Sequence, residues 1–180
     1  MSLKDRTKYL FADTLKDLMK SKDLKDIRIG ELCAACGAHR RTFYYHFQDK
    51  YDLMAWILSH GYDDPSMPEN IMTEHTQVNV LSRMRDNQTF YRRLYSDPGI
   101  SELSDYLLRY NVESFEEQLL PALGAEHLSD EQKFSLRMYC YGGIYMSREW
   151  ILGGCRLEPE ELAERMKANM PEWMKAADDH

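Results

Sequence analysis

At 180 residues the chain has room for one mid-sized unit, or for a small domain joined to a larger one. Hydrophobic residues make up 43%, which excludes a disordered chain, and 9 Gly with 6 Pro are too few for a fold of many hairpins and favour helices joined by short turns. The net charge of −7 is unevenly spread: residues 1–50 carry 11 Lys/Arg against 7 Asp/Glu, a balance of +4, while the remaining 130 carry 12 against 23, a balance of −11. A basic head on an acidic body is the asymmetry expected when only the head approaches phosphates.

The periodicity predicts helices along the whole chain. Leu3, Thr7, Leu10, Phe11, Leu15, Leu18 and Met19 recur at three- and four-residue steps, a first helix ending near 21–23. A second, short helix starts around Ile29 and stops at Gly37, and a third runs from about Arg40 to Phe47. A fourth follows Asp49, whose carboxylate suits a cap, and reaches Gly61. Pro65 and Pro68 in a polar stretch mark the boundary between head and body. Beyond it, helices are expected near 70–86, 88–95, 100–122, 130–152 and 159–175; Ser129 with Gln132 has the form of a capping box, and Pro159 suits a first helical position. The fold class is therefore all-α, about nine helices. Residues 1–50 form a three-helix head and 51–180 a helical body, with a helix at 50–61 as connector.

The informative stretch is 27–47. Two short helices around a Gly-centred turn have helix-turn-helix geometry, and Cys33, Ala34 and Cys36 are small enough for a close crossing. At ~100° per residue, Phe43 and Phe47 define the buried side of the second helix. Arg41, Thr42 and Tyr45 lie broadly opposite, where a helix in the major groove meets base edges, and Arg40, Tyr44 and His46 flank them, towards the phosphates. An Arg fork matches guanine O6 and N7, and a Thr methyl can touch that of thymine. Lys50, at the start of the next helix, adds a charge within reach of the backbone.

This segment resembles the TetR family of bacterial regulators. The matching elements are 32–37, then Thr42-Phe43-Tyr44-Tyr45-His46-Phe47, then Asp49, Lys50 and Leu53; the wording of 40–53 looks most like the branch related to dihydroxyacetone-kinase regulators. Gly142-Gly143, Trp150, Gly153-Gly154 and 159–163 are similar to the C-terminal domain common in that branch. The resemblance implies a homodimer paired through its last two helices on a palindromic operator, with phosphate contacts at Tyr44 and Lys50. It departs from the family pattern at His39 and Arg28, where Ser or Thr usually caps a helix, and at Arg41, where a small residue is usual. All three are kept among the DNA-facing residues. Tyr139, Met146, Trp150, Leu162 and Met166 are the residues expected at the subunit interface.

The body also carries a Met- and aromatic-rich set at helical spacing. Packing accounts for most such stripes, and a small-molecule pocket is the alternative, with Tyr106, Tyr110, Met138, Tyr141, Tyr145 and Arg148 as its candidate residues. Cys33-x-x-Cys36 lacks a second ligand pair, and the six His show no metal spacing, so no metal and no cofactor are expected. No nucleophile–base pair or phosphate loop suggests an enzyme. With neither an apolar leader nor a run of 18 apolar residues, the chain is expected to be cytoplasmic, its thiols reduced and no membrane among its partners. The expected function is sequence-specific transcriptional regulation on double-stranded DNA, modulated by a small molecule or a protein bound to the body. The alternative is a protein-interaction co-regulator whose signal is a kinase-like partner protein.

Overall fold

The computed structural model describes residues 3–59 and 73–178. The proline-containing boundary and the end of the connector expected at Gly61 lie outside them. The described residues are helical: α1 (Leu3–Met19), α2 (Ile29–Ala35), α3 (Arg40–His46), α4 (Lys50–Ser59), α5 (Glu74–Asp86), α6 (Gln88–Tyr95), α7 (Ile100–Leu123), α8 (Asp130–Leu152), α9 (Pro159–Ala168) and α10 (Glu172–Asp178), with a 3₁₀ turn at Leu24–Asp26. The single last helix expected from the sequence is two, giving ten α-helices among these residues. Pro171 causes the break: it has no N–H to donate, and its ring clashes with a helical carbonyl four residues back. Its own carbonyl instead accepts the Met174 N–H and starts α10. Among these residues no helix is long and apolar enough to cross a membrane.

In the head, Phe11 and Leu15 of α1 meet Leu32 of α2 and Phe43 of α3 in one buried cluster, and Phe11 and Phe43 stand edge to face at 5.2 Å. Leu10, part of the apolar periodicity of α1, is exposed. In α4 the residues from Asp52 to Ile57 are buried without interruption. A helix with apolar residues on every side sits inside a protein rather than on it, and α4 lies between the head and α7. Through it the head core runs on into Leu103, Leu107 and Phe115 of α7. A second cluster, built on Leu81, Met84, Tyr91, Tyr95, Trp150, Ile151, Leu162 and Ala163, joins α5, α6, α8 and α9.

Local signals set the helix ends. Ser129 Oγ accepts the Gln132 N–H and Gln132 Oε1 accepts the Ser129 N–H, a reciprocal cap. Pro121 sits in the last turn of α7, where Gly124 at φ 61° turns the chain and the Ala125 N–H returns to the Leu120 carbonyl. Asp49 Oδ1 accepts the backbone N–H groups of Tyr51 and Asp52 at 2.8 and 2.9 Å and opens α4.

One turn on, a second carboxylate is buried: Asp52 is 3% exposed. Its Oδ2 accepts the Gln48 N–H at 2.8 Å, and its Oδ1 accepts from Arg109 Nη2 at 2.7 Å and from the Tyr110 hydroxyl at 2.9 Å. Each of these bonds crosses an element boundary. Asp52→Ala strands the Gln48 N–H and a half-exposed guanidinium; it is expected to cost about 2–3 kcal/mol in urea unfolding, less than a fully buried pair because Arg109 can rehydrate. Tyr110→Phe should cost ~1 kcal/mol. The double variant should fall short of the sum, because both residues serve one network.

Candidate nucleic-acid interface

Turn residues Cys36, Gly37 and Ala38 lead from α2 to α3, with Gly37 at φ 68° and the Ala38 N–H bonded to the Cys33 carbonyl at 2.9 Å. A positive φ at this point suits Gly, which has no Cβ to collide with its own carbonyl. Cys33 is buried and Cys36 half-buried in this crossing; burial pushes the Cys33 thiol above its ordinary pKa, which suits a packing side chain and not a nucleophile. Among the described residues no cluster of His, Cys, Asp or Glu is arranged to hold a metal.

The two sides of α3 differ sharply. Phe43 and Phe47 are buried, and Phe47 is in turn packed against Trp56 of α4. Opposite them, Tyr44 is 57% and Tyr45 67% exposed, unusual for large aromatic side chains in a folded protein. His39, Arg40, Arg41, Thr42 and Tyr45 line one shallow concavity. A second concavity, on the flank, is bordered by Arg28, Gly30, Arg40, Tyr44 and Lys50 among others. The structure thus brings the nine candidate residues onto one end of the head, apart from His46. That side chain is half-buried, with its ring 4.9 Å from that of Tyr45. Neither Arg28 nor His39 caps its helix with a side-chain bond.

Two features of this end have no signal in the helical wheel. The Arg40 guanidinium lies across Gly30, and a Cβ built there would fall 2.2 Å from Arg40 Nη2; a glycine in α2 is what lets this arginine lie down. Lys50 does not reach outward. Its ammonium donates to the carbonyls of Lys25 at 2.6 Å and Ile27 at 2.9 Å, and burial lowers its pKa. In this conformation Lys50 ties α4 to the strap that leads into α2.

That strap is also held from the body. Asp97, buried, accepts the Lys25 N–H through Oδ2 and the Tyr51 hydroxyl and Gly99 N–H through Oδ1, all at 2.9 Å. The Tyr51 ring lies close against Gly99, where a Cβ would stand 2.1 Å from Cζ. Burial, then the Asp97 carboxylate, raises the pKa of the Tyr51 hydroxyl and keeps it a donor. Arg93 of α6 pairs with Asp23 ahead of the same strap.

The body candidates fall differently from expectation. Tyr106 donates to Asp49 Oδ2 at 3.1 Å and to Gln48 Oε1 at 3.3 Å, and Tyr110 to Asp52, so both are committed to the joint with the head. Both hydroxyls are pushed up to about 12, chiefly by burial. Met138, Tyr141 and Tyr145 project outward from α8, together with Phe134 and Met146. Arg148 is half-buried near Tyr95. None of these six residues lines a cavity of about 200 Å³ between α4, α5, α7 and α8, and Met138 borders a separate groove between α8 and α9. The interface candidates divide between the subunit's interior and its surface. Trp150 and Leu162 are buried in the subunit's own second cluster, the Trp150 indole donating to the Leu157 carbonyl at 2.9 Å, and Tyr139 and Met166 line the cavity. Met146 is exposed on α8, and Tyr139, Met146, Leu162 and Met166 all border an open groove between α8 and α9.

A three-helix head with an exposed, basic and aromatic second helix, mounted on an all-helical body, defines a helix-turn-helix transcriptional regulator. Residues 73–171 match the family model described as the transcriptional regulator C-terminal region of TetR type, and the chain belongs to the TetR family of transcriptional regulators. It is similar to the HTH-type dhaKLM operon transcriptional activator DhaS of Lactococcus lactis subsp. lactis (strain IL1403), 27% identical over 92 residues; the match covers 49% of this chain, and only about half (49%) of that relative's length. The fold is shared with the solved dihydroxyacetone kinase operon activator DhaS at 21% identity and a TM-score of 0.53, over 94% of this chain and 96% of that one. It is shared also with a TetR transcriptional regulator from Rhodococcus sp. RHA1 at 16% and 0.52, over 94% and 97%. Members of the family bind DNA and typically dimerise.

The position of Lys50 separates two roles. If it is a strut, Lys50→Met should lower thermal stability by about 1 kcal/mol and weaken DNA binding, yet leave the slope of log affinity against log salt unchanged. A slope smaller by ~1 would instead place its ammonium on a phosphate.

Proposed function

We propose that the chain is a sequence-specific DNA-binding regulator that acts as a homodimer on a palindromic operator and whose operator affinity is set by what binds the body. Residues 1–50 serve as the reading head, 51–180 as the effector-binding and dimerisation domain, and α4 as the connector. The observation that carries this reading is the face of α3: Arg40, Arg41, Tyr44 and Tyr45 are all exposed on a helix whose other side is anchored in a core. Arg41 and Thr42 face the bases; Tyr45 lies beside them, and Arg40 and Tyr44 meet the backbone. Two such heads need half-sites on one side of the duplex, ~34 Å apart or a multiple of it.

The dimer is assigned to the outer face of α8. Phe134, Met138, Tyr141 and Tyr145 follow one another at four-, three- and four-residue steps, all exposed, and Met146 extends the patch. A contiguous apolar stripe of this kind marks an interaction surface. It continues into a groove bordered by Gly142, Arg165 and Asn169, where the partner's α8 can approach α9 closely. The replacement Met138→Glu with Tyr145→Glu should convert a dimer to a monomer by light scattering with unchanged helicity; a persisting dimer would move the interface elsewhere.

Selection of bound duplexes from a random pool tests the head. A palindromic motif is expected from the native protein, with Arg41→Ala relaxing one position in each half-site by about 1–3 kcal/mol. If the folded dimer enriches no motif, the reading fails, and the α8 stripe is then best explained as a docking face for a different protein.

A further inference from the structure

The body's cavity has a composition that limits what fits in it. Its walls are mostly apolar, with Leu81, Met84 and Phe115 among them. Two polar atoms in that wall, Ser59 Oγ and Gln77 Oε1, are buried and have no hydrogen-bond partner, although Gln77 Nε2 is bonded to the Tyr139 hydroxyl at 3.3 Å. An unmet buried polar atom of this kind is costly and uncommon in a folded protein. Two of them opening on the same space point to a missing polar partner in it. Arg83 is the charged residue among the lining side chains, and no carboxylate is found there among the described residues, so a cation is disfavoured. The Cys140 thiol, pushed up to about 12 by burial, stays neutral. Size sets the last limit: the volume is about 200 Å³, and ~150 Å³ already accommodates benzene.

We propose that this cavity binds a non-cationic molecule of single-ring size carrying a hydrogen-bond donor, its apolar body against Leu81, Met84 and Phe115 and its donor on Gln77 Oε1. This assignment rests on the reading of the body as the effector-binding domain, and it adds the chemical class of the effector. It also indicates where the ligand acts, because Ser59 is the last residue of α4, the helix whose first turn carries Asp52 and Tyr51.

Three probes of similar size test it on the full chain by calorimetric titration: phenol, toluene, which lacks the donor, and benzylamine, which is cationic. Phenol should bind about tenfold tighter than toluene, as expected for one buried hydrogen bond, and benzylamine should not bind. Ser59→Ala with Gln77→Leu should bring phenol and toluene level. Gly143 lines the same cavity, and a Cβ there meets nothing within 4 Å, so Gly143→Ala should weaken phenol binding in a protein that is still folded. Absence of phenol binding, equal binding of phenol and toluene, or a preference that survives the Ser59/Gln77 double variant would overturn the assignment. Operator affinity is read separately. If phenol binds as described and the operator affinity does not move, the ligand class stands and the effector reading is what fails.

Discussion

The arrangement depends on a carboxylate held out of water. Asp52 sits at 3% exposure, and an ion at such depth survives only if its oxygens are fully engaged. Here they are, by one backbone N–H, one guanidinium and one phenol, and the first turn of α4 adds the favourable end of a helix dipole. The three donors come from two places. Gln48 follows the end of α3, while Arg109 and Tyr110 lie on α7. Keeping this charge satisfied therefore fixes α3 relative to the body. A hydrophobic contact of the same area would permit sliding that the directional bonds do not.

Asp49 and Asp97 extend the constraint to either side. Asp49 caps α4 and accepts the Tyr106 hydroxyl; Asp97 accepts a backbone N–H of the strap before α2 and the Tyr51 hydroxyl. Three acids from a markedly acidic chain thus serve as the joint on which a basic head is mounted. The joint ties α4 to the head along its length: its ten residues span ~15 Å, from Lys50, bonded to the strap, to Ser59, at the cavity wall. Under the proposed function, a change in how α4 leans on α7 is delivered to α3 without any local rearrangement of the helix-turn-helix.

Much of this was legible in the residues. Helical periodicity, Gly37, the Asp49 cap, the Ser129 capping box and the 43/47 spacing are local properties, and the elements they imply are present. The break at Pro171 is a local property too, because proline disfavours a helix interior, although the expected helix at 159–175 runs through it. What did not transfer was the direction in which side chains of the body face. Met138, Tyr141 and Tyr145 form a stripe in sequence, but periodicity shows that a face exists and not whether it turns inward. Tyr139 and Met166, assigned to the interface, border both the cavity and the groove between α8 and α9, and the polar anchors Ser59 and Gln77 belong to no motif. Lys50 shows the same limit at the head: a lysine at a phosphate-ready position has its charge on two carbonyls 23 and 25 residues back, a partner that only the tertiary fold supplies.

The helix α8 carries two apolar stripes that periodicity alone does not tell apart. It is apolar on two sides: Leu136, Cys140 and Ile144 are buried within the subunit, and Phe134, Met138, Tyr141 and Tyr145 are open. A helix buried on one side needs only one apolar face, and under the proposed function the second meets the partner subunit. The cavity borders α8 on its inner side at Cys140, Gly143 and Ser147 and borders α4 at Leu58 and Ser59. It therefore lies between the helix assigned to the subunit interface and the helix that carries the head. Under the proposed function, the spacing of two heads in a dimer is set by these two helices taken together. A molecule that fills the space between them has direct leverage on that spacing, whereas one bound anywhere else on the body has to act through additional packing.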